Sequence, residues 1–381
     1  MSQATARRII YLSGTRADFG LLRSTLQRIA GTEGLSLQVL VTGMHLSEAH
    51  GRTVDEIRGS GLPICAEVPL DMLTRSRGSM ALGISDCLAG VTVVLERECP
   101  DLLLVLGDRG EMLAGAIAAL HLGIPCVHLH GGERSGTVDE PIRHAIGKLS
   151  SYHLVATEGS RQRLIAMGED PWRIHWTGAP GLDDLATAGA MVREECLLAL
   201  GFTPRSRFIL SVFHPVVQQA VQAGEQTTVL LRALKEVALP VLWLEPNADA
   251  GSLQVLHALD QAAWPPGSHL VTHLPRPLFA AAMKYCEVLA GNSSAGIIEA
   301  ASFGTPVVNI GGRQRLRERN ANVVDVPAEA GAIEQALRAA LQRGHGPCDN
   351  LWGDGHAGER IAGLLAQLAL GPRVLEKVNT Y

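Results

Sequence analysis

Short apolar runs alternate with longer segments of helical period, twice over, across the 381 residues. That alternation predicts parallel sheets covered by helices on both faces. The first series runs from the strand "RIIYLSG" through "SLQVLVTG", "DLLLVLG" and "PCVHLHGG" to "YHLVATE". "DLLLVLG" is apolar on both faces, as a strand buried on both sides must be. The intervening segments "ADFGLLRSTLQRIA", "GSMALGISDCLAGVTVVLEREC", "EMLAGAIAALHLG" and "DEPIRHAIGKLS" read as helices. A Gly-, Pro- and Asp-rich stretch, "WTGAPGLDDLATAG", then reads as a linker. The second series runs from "RFILSVF" through "LPVLWLE", "SHLVTHL" and "EVLAGN" to "TPVVNIG". The expected fold class is α/β, with two Rossmann-like domains facing a cleft. The first is expected over 1–183 and the second over 184–360. A final amphipathic helix in 355–381 is placed to pack back on the first domain.

Composition removes several function classes. The 33 Lys and Arg against 38 Asp and Glu leave a net charge of −5, so there is no basic footprint for nucleic acid or an anionic membrane. The 7 cysteines are scattered, without a C-x-x-C pair, and read as reduced thiols of a cytoplasmic protein. The opening "MSQATARRIIYLSG" enters a strand without a secretory pattern. No run of about eighteen residues is free of charge or His, so no membrane span is expected.

Ligands of open α/β sheets sit at the carboxyl ends of the strands. Five clusters stand there. In "SGTRADFG", Arg16 offers a planar fork for a phosphate or carboxylate, and Asp18 is either a ligand group or a helix N-cap. No G-x-G-x-x-G fingerprint is present, which argues against a dinucleotide. In "LGDRGEML", Asp108 and Glu111 have the spacing of a capping box and also the position of cleft-facing carboxylates.

The third cluster is "VHLHGGERSGTVDEPIRHAIGKLS". His128 and His130, two apart on a strand, are expected on one face. With Glu133 and Asp139 they would make a metal site. The preferred reading is metal-free acid–base work by Glu133 and Asp139, with Arg143 and His144 on the next helix. Several carboxylates in one cleft are expected to split, one pKa raised and another left low. A surface ion pair is the plainer alternative for Arg143. Fourth, His214 in "SVFHP" ends the second domain's first strand, where it can neutralise a departing diphosphate. Fifth, in "GNSSAGIIEA", Asn292, Ser293 and Ser294 lead from strand to helix at Gly296. Hydroxyls and free N–H groups there can bind an anion. Glu299, one turn on, can accept from both ribose hydroxyls. With Arg313, the cluster reads as a nucleoside-diphosphate site. Asn247 in "LEPNADAGS" is a further candidate contact.

"GTRADFG", "VTGMH", "LGDRGE", "HLHGGE", "DEPIRHAIGKLS", "FHP", "NADAGS", "GNSSAGIIEA" and "NIGGRQR" occur in that order. In this the chain resembles the hydrolysing UDP-N-acetylglucosamine 2-epimerases of bacterial sialic-acid synthesis, from about residue 8 to about residue 330. The resemblance implies a glycosyltransferase-B type fold and conversion of UDP-GlcNAc and water to N-acetylmannosamine and UDP. It implies no metal and no nicotinamide or other cofactor. It further implies elimination to 2-acetamidoglucal, followed by rehydration with inversion at C2. By the same resemblance Asp108, Glu133 and Asp139 are the acid–base residues, and His214 assists departure of the diphosphate. Arg16, Ser293 and Ser294 hold the phosphates, Glu299 the ribose, and Arg313 the sugar or diphosphate. Arg143 and His144 position the sugar. The implied assembly is a homodimer or homotetramer, with a nucleotide sugar as the partner molecule. The chain reads "GGRQRLR" where the family pattern is "GDRQKGR", so Gly312 and Leu316 depart from it while Arg313 and Arg317 keep their places.

Sister enzymes with similar motifs act on UDP-linked diacetamido-trideoxyhexose or on GDP-linked sugars. A non-hydrolysing 2-epimerase, a glycosyltransferase of the same architecture and a non-catalytic nucleotide-sugar sensor are the other readings.

Overall fold

A strand apolar on both faces needs cover on both faces, and β1 (Arg7–Ser13) is such a strand, buried from Ile9 to its end. The computed structural model describes residues 6–71, 76–136, 138–188, 190–247 and 249–380, which leaves Gly189 of the expected linker and the first five residues outside the described part. After β1 come α1 (Arg16–Ala30), β2 (Leu35–Thr42), α2 (Val54–Gly59), β3 (Ile64–Val68), α3 (Arg77–Glu98) and β4 (Leu102–Leu106). Next follow α4 (Gly110–Leu122), β5 (Cys126–Leu129), α5 (Asp139–Leu149), β6 (Tyr152–Val155), α6 (Glu158–Ala166) and β7 (Ile174–Trp176). The seven strands form one parallel sheet in the order β3-β2-β1-β4-β5-β6-β7.

Two short helices, α7 (Leu185–Ala188) and α8 (Arg193–Ala199), lead to the second sheet. Its elements begin with β8 (Ile209–Val212), α9 (Ala223–Val237), β9 (Val241–Leu244), α10 (Ser252–Asp260) and β10 (His269–Val271). They continue with α11 (Arg276–Tyr285), β11 (Val288–Gly291), α12 (Ser294–Ile298), β12 (Val307–Ile310), β13 (Val323–Val326) and α13 (Ala330–Arg343). This sheet is also parallel, in the order β10-β9-β8-β11-β12-β13. Each sheet thus reverses direction once, between β1 and β4 and between β8 and β11. Those reversals open a crevice at the carboxyl ends of the strands.

The chain then returns. In α14 (Ala357–Gln367), Ala357, Ile361, Ala362 and Leu365 join the apolar core formed by β1, β2 and α1, and Val374 of α15 (Pro372–Leu375) joins it too.

The helix α3 is long and apolar enough, by length and composition alone, to cross a membrane. It carries Asp86, and Cys87, Val91, Val94 and Leu95 bury its inner face in the second core of this domain. The sequence reading passed over β3, β7 and β13, which are edge strands of three to five residues, and several helices between the motifs.

Two local expectations fail. The strand β5 ends at Leu129, and His130 takes a left-handed backbone with φ of 60°. The two histidines therefore diverge. His128 Nε2 lies 2.7 Å from the Gly107 carbonyl, while His130 Nδ1 lies 2.5 Å from Glu133. Among the described residues no group of three or more His, Cys, Asp or Glu is placed to share a metal ion. The capping box of Asp108 with Glu111 does not form either, because the N-cap of α4 is Arg109 and Asp108 is drawn away to Arg143. The box occurs at α1 instead, where Thr15 is the N-cap and Asp18 its third-position partner.

Candidate active site

The four loops that flank the two sheet reversals converge. Arg16 follows β1, Asp108 follows β4, His214 follows β8, and Ser293 and Ser294 follow β11. All five residues line one cavity of about 290 Å³, together with Asn247, Glu299 and Arg313. Both domains contribute to it.

The floor on the first domain is a buried charge cluster. The loop 133–136 is folded by Glu140, whose carboxylate accepts from the N–H groups of Ser135 at 2.9 Å and Gly136 at 2.6 Å. This places Glu133, which is 2% exposed, beneath the crevice. Arg143 comes up from α5 and is equally buried. It donates to the Glu133 carbonyl at 3.0 Å and pairs with the Asp108 carboxylate. The surface ion pair that the sequence allowed for Arg143 is therefore excluded by its depth. From the second domain Arg317 reaches Glu133 at 3.2 Å and Asp108 at 4.0 Å. Burial alone would push both carboxyls up. Arg317, His130 and Arg143 instead hold Glu133 down to about 2. For Asp108, burial is likewise outweighed by Arg143 and Arg317, and its pKa lies below the ordinary value. Asp108 and Glu133 are low together because two arginines serve both groups, while burial pushes the carboxyl of Glu299, in the same cavity, up.

Asp139 opens α5, and its charge acts on Arg109 and Arg143. Arg109 itself lines the cavity and meets Glu111 at 3.4 Å and Asp249 of the second domain at 3.3 Å. Glu111 is buried behind Gly14 and Gly43, outside the cavity wall. His144 stands one helical turn past Glu140, 3.6 Å from it, away from the cavity.

Asp18 is also turned away. Its oxygens accept from Tyr11, Ser13, Thr15 and the Gly14 N–H, which fixes the turn that presents Arg16. Arg16 donates across the crevice to the Thr272 carbonyl at 2.5 Å.

On the second domain, Asn292 serves His214 rather than the cavity. Its side chain accepts from the His214 N–H at 2.7 Å and donates to the His214 carbonyl at 2.8 Å. His214 Nδ1 accepts from the Asn247 N–H at 3.2 Å, which leaves the ring proton on Nε2. Burial, and then Arg313, Arg16 and Arg109, hold this His well below its ordinary pKa, so the ring is neutral. The end of β11 can pass β8 this closely only at glycine: Gly291 has φ of 144°, and a Cβ there would stand 2.1 Å from the Val212 carbonyl oxygen.

Ser293 caps α12, accepting from the Ala295 N–H at 3.3 Å. Gly296 is not a cavity residue. Its missing side chain lets α12 lie against Val307 and Leu289. Glu299 is buried and paired with Arg276, which also donates to the Gly181 carbonyl at 2.6 Å. Arg313 donates to the Asn292 carbonyl at 3.2 Å.

Sequence reasoning did not single out Arg109, Arg276, or the ion pair of Glu56 with His273 that ties α2 to the second domain. Arg109 lay inside the quoted "LGDRGE", and Arg317 inside "GGRQRLR", so motif position held a signal for these two. Nothing local marked Arg276.

Two parallel Rossmann-like domains with one polar cavity between their strand ends define an α/β enzyme of the glycosyltransferase-B type. The chain belongs to the UDP-N-acetylglucosamine 2-epimerase family, whose profile matches residues 27–366. It is 46% identical over 375 residues to a Legionella pneumophila UDP-N,N'-diacetylbacillosamine 2-epimerase (hydrolyzing), covering 98% of this chain and 100% of that protein. It is 32% identical over 353 residues to a Neisseria meningitidis UDP-N-acetylglucosamine 2-epimerase, covering 92% and 91% of the two chains. A crystal structure of a Neisseria meningitidis UDP-GlcNAc 2-epimerase bound to UDP-GlcNAc has the same fold. Its TM-score is 0.78 at 18% identity, over 94% of this chain and all of that one.

Proposed function

We propose that the protein is a hydrolysing 2-epimerase of a UDP-linked 2-acetamido sugar. One observation carries this: ionised Asp108 lines one side of a single cavity, with ionised Glu133 held behind it by Arg143 and Arg317, and on the other side stand Ser293, Ser294, Arg313 and a neutral His214. The first side suits a sugar ring and the second a diphosphate. Glu299, which lines the same cavity, is in our reading the ribose contact.

A C2 proton beside an amide is weakly acidic, so base and leaving-group stabilisation must act together. In our reading a carboxylate of the Asp108, Glu133 and Asp139 set takes the C2 proton. The C1–O bond breaks toward the diphosphate, whose developing charge meets the His214 Nε2–H, Arg16 and Arg313. The product of this step is the C1=C2 glucal. Water then adds its hydroxyl at C1 and gives its other proton to a carboxylate, while a protonated carboxyl returns a proton to C2 on the opposite face. Arg143 orients the Asp108 carboxylate, and His144 supports the same helix.

UDP-GlcNAc, giving N-acetylmannosamine for sialic-acid synthesis, is the substrate the motifs put first. A second reading has a specific observation behind it: the Legionella protein, 46% identical over nearly the whole chain, is named for UDP-N,N'-diacetylbacillosamine. One assay in deuterated water tests both, offering UDP-GlcNAc, GDP-GlcNAc and the UDP-diacetamido sugar separately, with products read by mass and NMR. Release of UDP with a C2-inverted, C2-deuterated free sugar supports the proposal, and the sugar that turns over fastest assigns the substrate. A UDP-linked product would instead make it a non-hydrolysing epimerase. No turnover without an acceptor would make it a glycosyltransferase. We further propose a homo-oligomer that covers the outer face of α3, where Leu82 and Val93 are 68% and 63% exposed; sedimentation tests it.

A further inference from the structure

The helix α5 is held at both ends. Its first turns carry Asp139 and Arg143, and Arg143 is fixed on Asp108. Its last turn is held by residues far along the chain. The Lys377 ammonium has three donors, and all three are used. Two go to the carbonyls of Gly147 and Ser150, each at 2.7 Å, at the end of α5. The third goes to Glu169 at 2.6 Å. A cation on the last carbonyls of a helix satisfies orphan acceptors and complements the helix dipole.

Glu169 is buried and gathers three partners. Besides Lys377 it meets Lys148 of α5 at 2.9 Å and His153 of β6 at 3.0 Å. His153 stands in register with His128, whose ring reaches the carbonyl of Gly107, next to Asp108. The tail itself is tied down independently. Buried Arg173 donates to the carbonyls of Val374 at 2.8 Å and of Arg373 and Glu376 at 3.3 Å. Lys148 reaches Asn379 at 2.8 Å, and the Thr380 N–H reaches the Gly168 carbonyl at 3.0 Å. The tail residues among these, from Arg373 to Thr380, lie beyond residue 366, where the family match ends.

We propose that Lys377 is a positioning residue for the acid–base helix: by clamping the far end of α5 to Glu169, the tail sets where Asp139 and Arg143 stand at the near end. The proposal rests on the catalytic reading above. An α5 that slides or rotates by about 1 Å would misplace the carboxylates, and misplacements of that size cost up to about 10²-fold in rate. The nucleotide contacts proposed above lie on the second domain and on Arg16 after β1, none of them on α5, so binding is spared.

The test compares the full-length wild type with Lys377→Met, Lys377→Arg, Glu169→Gln and, as a control, Val378→Ala at an exposed neighbour. UDP release from the sugar nucleotide that the wild type turns over gives kcat and KM. Hydrogen exchange followed by mass spectrometry reads residues 139–150. Expected for Lys377→Met are a kcat lowered about tenfold, KM within about twofold, and faster exchange over 139–150. Lys377→Arg restores most of both, and Val378→Ala changes neither. Unchanged exchange over 139–150 with unchanged kcat would overturn the proposal. So would a fall in thermal stability alone, with kcat intact below the melting range. If Lys377→Met does not fold, Glu169→Gln carries the same expectations and the same refutation. A wild type that releases no UDP would defeat the catalytic reading, whereas the exchange result would still judge the clamp.

Discussion

Arg317 of the second domain meets Glu133 of the first at 3.2 Å, with side chains only 10% and 1% exposed. A bond between the domains thus sets the charge of a carboxylate at the base of the crevice. Arg317→Met removes the nearest full charge of the second domain that holds Glu133 down, leaving His130 and Arg143 against burial, which pushes it up. In the wild type Glu133 keeps its charge until pH approaches about 2. In the variant it takes up its proton at higher pH, so the acid limb of the kcat profile moves upward. A pH–rate series on UDP release checks this, and coincident acid limbs for the two proteins would contradict it.

Glu133→Gln keeps size and burial and removes the charge. UDP release should fall by about 10²- to 10⁴-fold, the range for loss of a positioned acid–base group. Calorimetric affinity for UDP should stay within about threefold, because none of the proposed diphosphate contacts, Arg16, His214, Ser293, Ser294 and Arg313, is bonded to Glu133.

Asn292 brackets the His214 backbone with two bonds of 2.7 and 2.8 Å. Asn292→Ala should lower kcat roughly tenfold while leaving UDP affinity near the wild-type value, since the His214 ring loses its fixed direction. Equal losses in kcat and affinity would instead make Asn292 a binding residue.

Two buried histidines predict acid sensitivity. Burial first, and neighbouring cations with it, hold His128 at about 3 and His153 at about 4. The unfolded chain, with an ordinary His near 6.5, binds more protons than the native one in this window. Stability present above about pH 6.5 is therefore lost as pH falls toward 4. The melting temperature should drop by roughly 5 °C or more between pH 7 and pH 5. Differential scanning calorimetry measures it, and His128→Gln should flatten the slope.

The sequence made the architecture readable because its strands and helices carry strong periods: "DLLLVLG" became the central β4, and "EMLAGAIAALHLG" the helix behind it. It failed where the period is too short to see. The strand β7 has three residues and β13 four, and both are placed by their neighbours rather than by their own pattern. At the site, motif order located Asp108, His214 and Ser294 at strand ends, where the cavity lies. It did not show that His130 leaves the strand through a left-handed turn, or that Arg143 and Arg317 would hold two carboxyls low together. Those outcomes depend on which distant residues meet, and no local spacing encodes that.

The apolar core beneath β1 contains Ile361, Leu365 and Val374. On the ribosome, these side chains emerge only after the whole second sheet has been made. The first half of the protein must therefore wait, with an oily groove along α1 uncovered, until the residues that close it have been made. Cutting between the two halves would not yield two sound fragments, because the amino-terminal piece would be left with that groove open to water.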